Sequence, residues 1–258
     1  MNLEEIHNGH KLYLKNKILE CVGINIDSID NKAGFFKNEF YRIFNNYTGF
    51  QYKDRYIYFI YFLQQLKKIK RYNNKDFDDY LTKLSVDGEN LKGERFEILT
   101  YTRLIDNSIP FIKPKGNPDF EINIDQDKVY IECAIRQSNK KGWFAESIEG
   151  KIKEKQSKGY ANIETALHIE ISQTRYNSIT EDESLDNDVL KKLIDEKIKE
   201  VDFGAIVLIS TGYNQIGKVV GYPIFSYKEN CSNGLRILHE RMFSLKSEKT
   251  ALTIKNFY

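Results

Sequence analysis

Residues 118–135 of this 258-residue chain read PDFEINIDQDKVYIECAI. Apolar and polar residues alternate through both halves of the segment, which is typical of β-strands. Asp125, Gln126 and Asp127 lie between the halves, where a hairpin would turn. The pattern predicts strands at 118–124 and 128–135.

The second predicted strand carries one carboxylate on its polar face. Val129, Ile131 and the alternate residues after them point to one side, which we interpret as the core side. Glu132 and Ala134 point the other way. Glu132 is then available to a metal ion, and the backbone carbonyl of Cys133 is a possible further ligand.

Asp119 begins the first predicted strand, and the hairpin register decides whether it meets Glu132. A two-residue loop of Gln126 and Asp127 would set Asp119 opposite Ala134 and diagonal to Glu132, on one face. A three-residue loop without a bulge would separate the two carboxylates. The register is therefore a test of any site that uses both.

The spacing of apolar residues predicts two regions along the chain. Residues 1–88 show helical spacing, which predicts an N-terminal helical region. Residues 89–258 alternate between helical and strand patterns, which predicts an α/β domain with a mixed central sheet flanked by helices. Helices are predicted at 91–105, 147–160, 188–201 and 235–245, and strands at 109–112, 118–124, 128–135, 166–172, 205–210 and 219–225.

Composition leaves several classes of partner open. The net charge is only +2, so any surface that binds nucleic acid must be local. No apolar run approaches the length of a membrane span, and the first residues lack the basic start of a signal peptide. The three cysteines are widely spaced and odd in number. We expect a cytoplasmic protein.

Two predicted helices supply further polar side chains. Glu97 shares a helical face with Glu94, and Phe96 beside it is expected to pack toward the core. In the later helix, Gln156 and Tyr160 continue an apolar stripe at four-residue spacing. A glutamine in that stripe needs a hydrogen-bond partner, which a metal-bound water, a substrate phosphate or a backbone carbonyl could provide.

These motifs together resemble the PD-(D/E)xK nuclease superfamily, which has the restriction-endonuclease-like fold. Gly93-x-x-Phe96-Glu97 is similar to its helix motif, Pro118-Asp119 to its "PD", and Glu132 to the acidic residue of "(D/E)xK", with an agreeing order of elements over about 88–210. The spacing of Gln156 and Tyr160 resembles the RecB-like branch.

The resemblance implies a DNA endonuclease that depends on Mg²⁺ or Mn²⁺ and serves in restriction or anti-phage defence. Glu97, Asp119 and Glu132 would hold the metal, with the Cys133 carbonyl as a possible ligand. Gln156 and Tyr160 would order the water and the phosphate. DNA is expected in preference to RNA, and a second copy of the chain or another defence protein is a candidate partner.

Position 134 departs from the family pattern, because alanine stands where the motif has its lysine. The lysine could have been replaced deliberately, could have migrated to the next helix, or could be lost in a naturally inactive protein. Lys155 is the best placed migrated lysine, since it follows inward-facing Ile152 by three residues. Lys158 lies on a more exposed face, and Arg136 sits further along the strand of Glu132.

The segment after that strand carries candidate contacts to nucleic acid. Arg136, Lys140, Lys141 and Trp143 combine positive charge with an aromatic ring that could stack on a base. Ordinary anchoring of a loop by its aromatic residues explains the same pattern. The alternative to a nuclease is therefore a non-catalytic module that binds nucleic acid or a partner protein and retains the fold.

Overall fold

The computed structural model describes residues 3–28, 34–46, 49–85, 91–135, 144–171, 187–213 and 219–243. The chain divides into two compact units, and the boundary falls between Thr102 and Arg103. None of the helices in the described ranges combines the length and the apolar character that a membrane crossing needs.

The first unit is helical. Its helices are α1 (Leu3–Val22), α2 (Gly34–Asn46), α3 (Gly49–Tyr72), α4 (Asn74–Ser85) and the part of α5 (Leu91–Asp106) that precedes the boundary. Helix α3 packs against α1, α2 and α4. Asn73 separates α3 from α4, because its side-chain oxygen accepts the N–H groups of Lys75 and Asp76 at the start of α4. The core is rich in aromatic side chains, including Phe36, Phe59, Phe62, Phe77 and Tyr80.

The second unit is built on one six-stranded sheet whose strands follow chain order. The strands are β1 (Phe111–Ile112), β2 (Phe120–Ile124), β3 (Asp127–Ile135), β4 (Thr165–Glu170), β5 (Ala205–Tyr213) and β6 (Val219–Tyr227). The helices after α5 are α6 (Phe144–Gln156), α7 (Asn187–Lys197) and α8 (Asn233–Phe243). Strands β3, β4 and β5 are parallel and the other neighbours are antiparallel. The predicted α/β class with a mixed sheet is confirmed.

The hairpin of β2 and β3 turns one residue earlier than in the two-residue alternative of Gln126 and Asp127, and its loop is not the three-residue alternative either. Ile124 pairs with Asp127, so Asp125 and Gln126 form the two-residue loop. Asp125 has a φ of 52°, as the first loop residue of a tight hairpin requires. Because Phe120 pairs with Ile131, the same register sets Asp119 directly opposite Glu132 rather than opposite Ala134.

Both faces of the sheet are covered by helices, which corrects the predicted polar face of β3. Ala134 lies in a buried apolar cluster with Ile148 and Ile152 of α6, and α7 adds further side chains to that cluster. Helix α8 packs on the opposite face, against β2 and β3. Glu132 is therefore buried in the layer beneath α6, while Cys133 on the other face is only partly buried.

Candidate functional site

Glu132 is the centre of the site in the second unit. Its side chain is only 1% exposed, yet it carries a carboxylate. Oε1 accepts hydrogen bonds from Lys155 Nζ at 2.5 Å and from Tyr160 Oη at 2.8 Å. Oε2 is buried and has no hydrogen-bond partner in the described part of the chain. One oxygen of this buried carboxylate accepts two hydrogen bonds and the other has no described partner. Such a carboxylate is a candidate ligand for a cation.

Asp119 supplies the second carboxylate. It lies directly before β2 and opposite Glu132, so the two side chains share a face of the sheet. The backbone N–H of Cys133 donates to Asp119 Oδ2 at 2.7 Å, which fixes the orientation of the carboxylate. The structure thus shows Cys133 acting through its N–H, and its carbonyl as a metal ligand stays a prediction.

Lys155 reaches Glu132 because of its place on α6. Ile148 and Ile152 anchor that helix in the apolar cluster, and Lys155 follows Ile152 by less than one turn. The Lys155 side chain is 19% exposed, so its stem lies along the protein while the ammonium meets Glu132. Ala134 lies in the same cluster, and its methyl side chain has no polar atom that could bind Glu132. The placement of Lys155 is what the migrated-lysine alternative requires.

Charge and burial act together on the two groups that donate to Glu132. Burial alone would lower the pKa of Lys155, but its hydrogen bond to Glu132 and the charges of Glu132 and Asp119 raise that pKa above its usual value. Burial raises the pKa of Tyr160, and the hydrogen bond and charge of Glu132 raise it further. At neutral pH, Lys155 is therefore charged and Tyr160 keeps its proton.

The second half of the Gln156 and Tyr160 motif lies outside the helix. Helix α6 ends at Gln156 rather than near Tyr160, and Gly159 turns the chain with a φ of 71°. Tyr160 then reaches Glu132 from the segment that leads into β4. The hydroxyl of Thr165 holds this segment by donating to the carbonyl of Tyr160 at 3.0 Å.

Gln156 bonds to a residue other than Glu132, and its predicted role in ordering water and phosphate stays a prediction. Its Nε2 donates to Asp202 Oδ2 at 2.5 Å, and its Oε1 accepts the backbone N–H of Asp202 at 3.0 Å. Asp202 was not singled out from the sequence. It lies 46 residues from Gln156 and carries no local motif, so only the folded chain shows the pair.

Glu97 belongs to the first unit. Its Oε1 accepts the hydroxyl of Tyr80 at 2.8 Å, and its Oε2 lies 3.6 Å from Lys83 Nζ. These contacts engage both carboxylate oxygens within the helical unit. The metal role predicted for Glu97 stays a prediction, and the site of the second unit is described without it.

The remaining candidates are Lys158 and the four residues predicted to contact nucleic acid. Lys158 lies in the turn after α6 and is exposed. The four residues predicted to contact nucleic acid, Arg136, Lys140, Lys141 and Trp143, lie outside the described residues.

The donor set suits Mg²⁺ better than a metal that needs an all-protein shell. No group of three or more His, Cys, Asp or Glu side chains in the described ranges is arranged to hold a metal ion. Mg²⁺ needs fewer, because it keeps several waters and uses one or two carboxylates together with substrate phosphate oxygens. Asp119 and the unpartnered oxygen of Glu132 match that requirement.

No protein-family model matches the sequence, and no curated protein and no solved structure is significantly similar to it. What the site does must therefore be inferred from its geometry and charge.

Proposed function

We propose that the second unit is a metal-dependent phosphodiesterase that cuts DNA, with a restriction-endonuclease-like core. Asp119 and Glu132 would hold Mg²⁺ or Mn²⁺, and Lys155 would replace the lysine that the motif lacks at Ala134. The observation that carries the proposal is the contact of Lys155 with Oε1 of a buried carboxylate whose other oxygen has no described partner.

Each of these side chains has a separate task in the proposed reaction. Bound Mg²⁺ would supply an activated water and neutralise charge on the phosphoryl oxygens. Lys155 holds a positive charge beside the two carboxylates, where it can stabilise negative charge that develops on the phosphate. Tyr160 keeps its proton on Oη and, with Lys155, fixes Oε1 of Glu132. Oε2 is left for the metal.

DNA as the substrate rests on the resemblance of Gly93-x-x-Phe96-Glu97, Pro118-Asp119 and Glu132 to PD-(D/E)xK nucleases. The order of elements from α5 to β5 supports that resemblance, since a helix, a three-stranded antiparallel part and two parallel crossovers follow one another. A role in restriction or anti-phage defence is proposed on the same basis.

The test is cleavage of plasmid DNA with Mg²⁺ by the wild type and by Asp119→Asn, Glu132→Gln and Lys155→Met. We expect each substitution to lower the cleavage rate on the order of 100-fold. Lys153→Met is the matched control, because Lys153 is an exposed lysine in the same last turn of α6. It should leave the rate within about twofold.

Two results would contradict the proposal. Equal rates for Lys155→Met and Lys153→Met would exclude Lys155 from catalysis. DNA binding by the wild type without cleavage, whether Mg²⁺ or Mn²⁺ is supplied, would favour the non-catalytic binding module. Cleavage of RNA but not DNA would correct the substrate alone.

A further inference from the structure

Gln156, the last residue of α6, joins this helix to the loop 201–204 before β5. Two hydrogen bonds make the joint: Gln156 Nε2 donates to Asp202 Oδ2, and the backbone N–H of Asp202 donates to Gln156 Oε1. A primary amide can satisfy both at once, since it carries a donor and an acceptor. Alanine could make neither bond, and glutamate could make only the second.

The loop that receives Gln156 is itself held firmly. Lys228 Nζ donates to the carbonyl of Val201 at 2.5 Å. The backbone N–H of Gly204 lies 2.9 Å from the carbonyl of Asn162 and 3.0 Å from that of Thr165. Loop 201–204 is thus fixed both to Lys228, directly after β6, and to the segment that enters β4.

Gly204 shows how closely the loop approaches that segment. A Cβ atom at position 204 would lie 2.0 Å from the carbonyl oxygen of Ile163, so only glycine allows this packing. Ile163 belongs to the short stretch between Tyr160 and β4. The hydroxyl of Thr165 lies within hydrogen-bond distance of two acceptors in this stretch, the carbonyl of Tyr160 at 3.0 Å and Asn162 Oδ1 at 2.9 Å. The loop that binds Gln156 therefore also supports the stretch that carries Tyr160.

The end of α6 depends on this joint more than its middle does. Ile152 is the last residue of α6 in the buried apolar cluster, and Lys155 and Gln156 follow it. Lys155 must hold its ammonium 2.5 Å from Glu132 Oε1. A small displacement of the last helical turn would break that contact, and a misplacement of about 1 Å in a reacting group costs on the order of 100-fold in rate.

We propose that Gln156 and Asp202 form a clamp that positions Lys155 and Tyr160 against Glu132, so that Gln156 acts through its neighbours and does not touch the metal or the phosphate. This positioning role in catalysis rests on the function proposed above. The contact that the clamp maintains, between Lys155 and Glu132, can be measured whether or not the protein cuts DNA.

The test compares Gln156→Glu with the double variant Gln156→Glu/Asp202→Asn. The single variant sets two carboxylates against each other and should open the clamp. In the double variant, the amide of position 202 donates to the new carboxylate, which restores a bond between the two side chains. Ser157→Ala is the matched control, because Ser157 is exposed and its hydroxyl donates within its own turn, to the carbonyl of Glu154.

Two readouts are taken on each variant. The first is the NMR signal of the Lys155 ammonium in protein labelled with ¹⁵N-lysine, which is protected from exchange only while the ion pair is held. The second is the kcat for DNA cleavage with Mg²⁺. We expect Gln156→Glu to lose the protected signal and at least tenfold in kcat, with KM for DNA within about threefold. The double variant should recover both, and Ser157→Ala should change neither.

An unchanged ammonium signal and an unchanged kcat in Gln156→Glu would overturn the clamp. Loss of kcat without loss of the signal, and without recovery in the double variant, would also overturn it, because Gln156 would then act on the substrate directly. If the wild type cuts no DNA but the signal is lost and recovered as expected, the clamp stands and the nuclease proposal fails.

Discussion

Replacing Lys155 by methionine removes the positive charge that faces a carboxylate of 1% exposure. Breaking a buried ion pair from one side costs about 3–5 kcal/mol, because the remaining charge stays buried without compensation. Lys155 is 19% exposed and Tyr160 still donates to Glu132 Oε1, so we expect the lower end, about 3 kcal/mol. Urea unfolding at pH 7 measures this loss. Lys153→Met should stay within about 0.5 kcal/mol of the wild type.

A double-mutant cycle separates the ion pair from other effects of the substitution. Glu132→Gln should cost about 1.5 kcal/mol, because Lys155 can turn its ammonium toward solvent. The double variant removes both charges of the pair, and we expect it to lose about 2 kcal/mol, less than Lys155→Met alone. The coupling energy is then about 2–3 kcal/mol. Additivity of the two single losses within about 0.5 kcal/mol would refute the buried ion pair.

The same pair predicts a dependence on alkaline pH. The pKa of Lys155 is raised in the folded protein, so the folded state keeps a proton that the unfolded state loses above about pH 10.5. The stability that the pair contributes is complete below that pH and is lost as pH rises through the folded pKa. The stability difference between the wild type and Lys155→Met should therefore shrink above about pH 10.5. A constant difference from pH 8 to 11.5 would contradict this.

Three further predictions concern single side chains. Tyr160→Phe removes a donor to Glu132 Oε1 and should cost about 1.5–3 kcal/mol in urea unfolding; a loss under about 0.5 kcal/mol would contradict the bond. Ala134→Lys forces a long side chain into the apolar cluster and should cost about 1–3 kcal/mol, whereas an unchanged melting temperature would show that the site has room for it. Burial lowers the pKa of His239 from its usual 6.5 to about 3. The stability that the buried neutral imidazole contributes is therefore complete above about pH 6.5. It is lost by about 1.4 kcal/mol per pH unit as pH falls toward about 3. The stability lost between pH 7 and 5 should be smaller in His239→Gln, and an equal loss would count against this.

The elements of the second unit could be predicted from the sequence because their patterns are local. Strand alternation and helical spacing need only neighbouring residues, and they predicted the mixed sheet. The sequence left the hairpin loop open between two residues, Gln126 and Asp127, and three residues, and the loop that forms is neither of these but Asp125 and Gln126. The structure gives the left-handed position to Asp125, and aspartate tolerates that conformation better than most residues. The shift brings Asp119 directly opposite Glu132.

The face of β3 was assigned wrongly for a physical reason. Alternation predicts one buried and one solvent-facing side, but a parallel strand in the middle of a sheet is covered on both sides. Helix α6 covers Glu132 and Ala134, so the side that looked polar is a second core. Sequence alone placed Lys155 among the candidates, since its distance from Ile152 is local. It could not predict that Gln156 binds Asp202, because that pairing depends on how the loop before β5 packs.

The proposed metal site of Asp119 and Glu132 is tested most directly by a crystal of the wild-type protein with Mn²⁺. The anomalous scattering of Mn²⁺ locates the ion. We expect one strong peak in contact with Glu132 and Asp119, with the Lys155 ammonium still beside Glu132. A well-ordered site without a peak, at a Mn²⁺ concentration that supports DNA cleavage, would contradict the claim. So would a peak bound only by other residues.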